Sequence, residues 1–134
     1  MGVSGLLQTE SGYYPLSGEG GHVSLGARNV RELSIFSAFI DKYGHMSAER
    51  LLSGTGLTEF YQVIRRLDGL DEQPLKAEDI SLKAMEKSCA SCEESMALFC
   101  EWMGIVASNL VLTLGASGGL YIGVGSVPKL GDYC

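Results

Sequence analysis

The chain has 134 residues, 46% of them hydrophobic, a size at which one domain buries roughly two-thirds of its unfolded surface. Ten basic against 16 acidic side chains leave a net charge of −6, and no basic run exceeds Arg65-Arg66, so the electrostatic footprint of nucleic-acid binding is missing. The first residues lack the basic start and apolar core of a secretory signal, so the four cysteines, Cys89, Cys92, Cys100 and Cys134, are expected as thiols in a reducing cytoplasm.

In chain order, Val3 to Gln8 and Tyr13 to Leu16 are β-leaning runs on either side of Ser11-Gly12, which predicts a hairpin. The glycine-rich Gly18 to Gly26 is a loop. Asn29 suits the N-cap of a helix to about Tyr43, with Leu33, Phe36, Ile40 and Tyr43 as its apolar face and Gly44 as a left-handed stop. Ser47 caps a short helix through Leu52, Ser53-Gly54 breaks it, and Thr55 starts another carrying Leu57, Phe60, Tyr61, Ile64 and Leu67 on one face up to Gly69.

Leu70 to Leu75 is a connector, and Ala77 to Lys87 is a helix whose thin apolar side predicts a surface position. Ser91-x-x-Glu94 has the form of a capping box, opening a helix to about Leu114. That helix is apolar nearly all round, which predicts burial against more than one partner. Glu101, Trp102, Ser108 and Asn109 interrupt it as a membrane span, so no membrane is expected. Leu120 to Val124 reads as a strand buried on both faces. Hairpin, helices and buried strand together give an α/β class. The chain opens on what reads as a strand under way and stops soon after another, so residues 1–134 are expected to be one partial domain.

The chemistry concentrates in Gly18-Glu19-Gly20-Gly21-His22 and in Gly44-His45-Met46-Ser47-Ala48-Glu49-Arg50. Hexose hydroxyls come in vicinal pairs; a carboxylate accepts from both at once, and an imidazole donates to or accepts from a third. Glu19, His22 and Glu49 supply that set. The same residues also suit plainer roles: a solvated loop carboxylate, a partly packed histidine, and a negative charge in the first turn of a helix. His45 reads as the residue leading into that helix. Cys89-x-x-Cys92 is a single pair, short of the four ligands of a structural zinc, and no metal site is expected.

Gly18-Glu19-Gly20-Gly21-His22-Val23, the block from Gly44 through Ser53-Gly54-Thr55-Gly56-Leu57, and Gly118-Gly119-Leu120-Tyr121-Ile122 followed by Gly125 and Pro128 resemble the bacterial-type ATP-dependent glucokinase family over Gly18 to Lys129. The resemblance implies part of an actin-like (ribonuclease H-like) sugar kinase fold, its larger, sugar-binding lobe. It implies phosphorylation of glucose to glucose 6-phosphate at the head of glycolysis, ATP with Mg2+ as cosubstrate, cytoplasmic location and a homodimer. It puts the glucose contacts on Glu19, His22 and Glu49 and a nucleotide contact on Gly125. The family's phosphate-binding Asp-Gly-Gly-Thr loop and the aspartate of its Asn-Asp-Phe segment have no counterpart here, and Gly123-Val124-Gly125 puts valine where the family carries adjacent glycines. No catalytic base is therefore assigned, and the chain is expected to be incomplete, with the upstream part missing. The alternative is a catalytically inactive module derived from a glucokinase that binds sugar or dimerises.

Overall fold

The computed structural model describes residues 2–123. Strands β1 (Gly5–Thr9) and β2 (Gly12–Leu16) form an antiparallel hairpin, with Gly5 opposite Leu16 and Thr9 opposite Gly12. Gly12 turns the chain at a φ of 125°, a backbone region that penalises any residue with a Cβ. Thr9 Oγ1 donates to Gly12 O across the turn at 2.8 Å.

A single 3-10 turn (Gly20–His22) follows, then helices α1 (Val30–Tyr43), α2 (Ala48–Leu51), α3 (Gly54–Leu67), α4 (Ala77–Met85) and α5 (Ala90–Leu114). Side-chain caps are in place at three helix starts, at Asn29 and Ser47 as expected and at Ser53, expected as part of a break before Thr55 but capping a helix that begins at Gly54. Asn29 accepts from Glu32 N, Ser47 from Arg50 N and Ser53 from Gly56 N, each pairing a backbone donor that the first turn leaves without an intrahelical partner. Gly44 closes α1 at a φ of 71°.

The core lies among the helices. Trp102 of α5 packs between Phe36 of α1 and Phe60 of α3, with ring centroids 5.1 Å away in both directions. Ile35, Phe39, Leu51, Tyr61, Ile64, Ile80, Cys92 and Met96 complete the buried set around it. Aromatic pairs at this distance contribute about 0.5–1.5 kcal/mol beyond the area they bury.

Three expectations give way to the structure. The buried face of α1 is Ile35, Phe36 and Phe39, rotated from the one expected, and Leu33 and Ile40 are exposed. The reason is Glu32, which turns inward and so sets the helix's rotation. The surface position expected of α4 holds: its thin apolar side, Ile80 and Ala84, is buried against α5, while Leu82 and Met85 are exposed. Second, α5 starts at Ala90 with Cys89 as its N-cap and no side-chain cap bond, so Ser91 lies inside the first turn and the capping box is not formed.

Third, the all-round apolar α5 is buried over its first half only. Cys92, Met96, Leu98, Phe99 and Trp102 are in the core, whereas Leu112 and Leu114 are exposed. By length and composition α5 could cross a membrane, but its first half is committed to packing here. Residues 120–123 are likewise not a strand; Tyr121 is 93% exposed, and among the described residues the hairpin is the one sheet, so no neighbouring strand pairs with them. The expected strand's last residue, Val124, and the expected nucleotide contact Gly125 lie outside the described residues.

Glu32 is fully buried and charged. Arg28 donates to its carboxylate from Nε at 3.0 Å, from its backbone N at 2.8 Å and from Nη2, and the same guanidinium reaches Glu101 of α5. Burial alone would push the Glu32 carboxyl up; the Arg28 side chain and backbone N–H outweigh it and hold the group below its ordinary range. Trp102 Nε1, buried beside it, makes no hydrogen bond of acceptable geometry and adds only the smallest of these contributions. Arg31 makes a second set of ties, to Glu94 of α5 at 2.8 Å and to Asp68 at 2.8 Å.

Replacing Glu32 by alanine should cost about 3 kcal/mol, since it strands the Arg28 donors and opens the core. Because the folded-state value is depressed, the pair's contribution is fully present above the unfolded value of 4.5 and is lost as pH falls through the lower folded one. Urea unfolding of the wild type and Glu32→Gln from pH 7 to pH 3 should show the gap between them closing only below about pH 4.5; a constant gap would refute this account of the pair.

Candidate functional site

The loop of residues 18–25 is fastened to the start of α2. Ala48 N donates to Val23 O at 2.9 Å, Ser24 and Ser47 form an isolated antiparallel bridge, and Ser24 Oγ lies 2.9 Å from His45 Nε2. Buried Leu25 and Met46 anchor the two sides of this join in the core. His45, expected as the residue before the helix, is therefore also a brace on the loop. On the other side Val3 forms a parallel bridge with Glu19, and a Cβ on Gly20 would meet Val3 at 2.9 Å, so the loop passes too close to the strand for a side chain there.

This join delivers His22 to α2. His22 and Glu49 line one cleft of about 290 Å3 together with Tyr43, Ser47, Arg50, Ser53, Thr55, Gly56 and Glu59. Glu19 does not line the cleft; its carboxylate stands beside it, 3.8 Å from His22 Nε2, a distance suited to an ion pair with a protonated ring and too long for a hydrogen bond. The His22 and Glu19 side chains are 64% and 83% exposed, and Glu49 is half-buried, so none of the three is used up in the core.

The remaining wall was not legible from the motif spacing. Tyr43 OH donates to both oxygens of Glu59, at 2.6 and 2.7 Å, Lys42 Nζ donates to Oε1 at 3.0 Å, and the Arg50 guanidinium stacks 4.0 Å over the Tyr43 ring. Burial pushes the Glu59 carboxyl up, but the Tyr43 and Lys42 hydrogen bonds bring it below the ordinary carboxylate range. Glu59 is thus ionised near neutrality and engaged by donors. The signal that could have found it is the polar line Thr55, Glu59, Gln62 and Arg66 along α3, which periodicity alone assigns to solvent.

The floor of the cleft depends on one glycine. A Cβ on Gly56 would lie 2.0 Å from Arg50 O and 2.5 Å from Leu51 O, so α2 and α3 touch backbone to backbone at this point. The contact also closes the first turn of α3, whose Gly56 N–H is taken by Ser53 Oγ at 2.9 Å. A phosphate cradle needs free N–H groups at a helix start and room above them, and here the Gly56 N–H is taken by Ser53 and the α2 backbone lies against Gly56. Among the described residues no cluster of three or more His, Cys, Asp or Glu could hold a metal ion. The expected nucleotide contact at Gly125 lies beyond the described residues.

Comparison with known proteins agrees with the motif resemblance. The glucokinase family profile matches residues 1–134. The glucokinase of Aromatoleum aromaticum is 50% identical over 99% of this chain, and that of Chromobacterium violaceum 42% identical over 99%; the chain spans about 40% and 38% of their respective lengths. Among solved structures, a glucokinase from an Antarctic psychrotroph superposes with a TM-score of 0.86 at 33% identity, over 98% of this chain and 41% of that one. A glucokinase from Balamuthia mandrillaris in complex with glucose superposes with a TM-score of 0.71 at 23% identity, over 85% of this chain and 34% of the other, a likeness of fold.

Gly56→Ala should destabilise the chain by about 2 kcal/mol or more, because the clash is with backbone carbonyls that cannot rotate away. Urea unfolding measures the loss. Stability equal to wild type would show that α2 and α3 are not in backbone contact.

Proposed function

Because the chain belongs to the glucokinase family, we propose that its cleft is the glucose-binding half of an ATP-dependent glucose kinase acting in the cytoplasm, with Glu19, His22 and Glu49 as the sugar contacts. The observation that carries this reading is the convergence of His22 and Glu49 on one small cleft from two separate segments, with the Glu19 carboxylate 3.8 Å from His22 at its margin. At 290 Å3 the cleft is at the low end of ligand pockets, about 300–1,000 Å3, which suits a monosaccharide. Glu49 accepts from a vicinal hydroxyl pair, and the His22 ring donates to or accepts from a neighbouring hydroxyl. Glu19 at the margin accepts from a hydroxyl at the outer edge.

Phosphoryl transfer needs in addition a base on the accepting hydroxyl and a nucleotide held in line with it. Neither function has a candidate among the described residues, so in this reading the segment binds and orients sugar, and the phosphate cradle and base belong to other parts of a glucokinase. The sugar's 6-hydroxyl is the position left for those parts to act on.

A second reading has one observation in its favour. Leu6, Leu7, Tyr13 and Tyr14 of the hairpin are all more than half exposed, an apolar surface suited to pairing with another chain, and homodimerisation would cover it. Concentration-dependent association without any effect of glucose would favour that reading over the first.

Isothermal titration of the purified chain should show saturable glucose binding, weakened about tenfold or more by Glu49→Gln, which keeps the shape and removes the charge that strengthens the hydrogen bonds. Incubation with glucose and Mg-ATP should give no glucose 6-phosphate. Binding that is indifferent to Glu49→Gln would remove the assignment of the site, and turnover by the chain alone would overturn its catalytic incompleteness.

A further inference from the structure

Cys89 and Cys92 take no part in the cleft. Cys89 is the N-cap of α5, in an extended conformation with φ −151° and ψ 109°, and Cys92 is the third residue of the helix. The turn between them is closed by Cys92 N and Glu93 N donating to Cys89 O, both at 3.0 Å. Residues three apart on a helix are neighbours, with Cβ atoms about 5–6 Å apart, and the extended N-cap swings the first sulfur over the start of the helix axis, toward the second. The two groups are near enough for each to perturb the other.

Their surroundings differ in a way that sorts their roles. Cys89 is half-buried and reachable from solvent, whereas Cys92 is fully buried against the core. At Cys89 burial works against the thiolate, but the Cys92 thiol, the backbone N–H groups of Cys92 and Ser91 and the field of Arg65 on α3 outweigh it and bring the group below the ordinary thiol value. Burial pushes the Cys92 thiol up to about 12, with the Cys89 sulfur adding to the rise. Both are free thiols, and among the described residues no third and fourth ligand would turn the pair into a metal site.

We propose that Cys89 and Cys92 are a reversible dithiol–disulfide couple at the start of α5, with Cys89 as the attacking sulfur, Cys92 as the resolving one, and a low-molecular-weight disulfide as oxidant. In the first step the Cys89 thiolate forms a bond to one sulfur of the oxidant and the oxidant's S–S bond breaks, releasing one thiolate. In the second, Cys92 gives up its proton and bonds to the Cys89 sulfur, expelling the second small thiolate. The two cysteines lose two electrons and two protons between them, and the oxidant takes up both as two small thiols. The half-exposed sulfur is the one an oxidant can reach, and the buried one is held where only its neighbour is within range.

The test is to equilibrate the folded chain in buffers of varied reduced-to-oxidised glutathione ratio, quench with acid, alkylate, and digest after Lys87 and Phe99, which separates this pair from Cys100. The peptide of residues 88–99 should pass reversibly between a doubly alkylated form and an unalkylated form two hydrogens lighter. Cys92→Ser should stop at a glutathione adduct on Cys89, and in the reduced wild type Cys89 should alkylate roughly tenfold or more faster than Cys92. The alkylation ratio needs no variant and so survives any folding defect. Independent glutathione adducts on both residues, no oxidation of the pair in fully oxidised glutathione, or faster alkylation of Cys92 would each overturn the proposal.

Discussion

The hydrogen bond from Ala48 N to Val23 O, with the Ser24–Ser47 bridge beside it, is the contact on which the candidate site depends. Glu19 and His22 lie on a glycine-rich loop with little side-chain packing of its own, and Glu49 lies on a helix of four residues. Neither segment has the length to hold a geometry unaided. What holds them is the core beneath: Leu25 and Met46 are buried next to the join, Ala48 and Leu51 are fully buried, and the Gly56 contact presses α2 onto α3. The exposed polar cluster is thus rigid because its backbone is tied to an apolar interior.

That interior is in turn assembled around a charge. Glu32 and Arg28 join the start of α1 to Glu101 on α5, and Arg31 joins the same helix to Glu94 and Asp68. The ties to Glu101 and Glu94 cross from the start of α1 to α5, and the tie to Asp68 reaches the end of α3. An apolar contact tolerates sliding, whereas a guanidinium held between carboxylates fixes register as well as distance. The arrangement explains why α1 buries a face different from the one its most regular apolar spacing marks out.

Much of the framework was legible in the residues. Asn29 and Ser47 announced their helices because a cap is a local interaction between a side chain and the next few N–H groups. Ser11-Gly12 announced the hairpin for the same reason. The misreadings concern contacts between distant segments. Ser91-x-x-Glu94 satisfies the capping pattern, yet Cys89 takes the cap because the chain from α4 arrives extended at that residue. Motif resemblance pointed to His22 and Glu49, which line the cleft, and to Glu19, which stands beside it, while Tyr43 and Glu59 were hidden, since no local rule pairs a helix-end tyrosine with a glutamate sixteen residues on.

The structure also divides α5 into a half that serves this core and a half with exposed leucines, and leaves the hairpin's apolar residues open. The chain spans about 40% of the length of the Aromatoleum aromaticum glucokinase. The central claim is that the loop of His22 and the helix of Glu49 form one binding unit. A nitrogen–proton NMR titration of the folded chain with glucose tests it most directly. The account predicts saturable shifts at the amides of residues 20–25 and 47–56 that share one binding curve; shifts confined to one segment, or none, would contradict it.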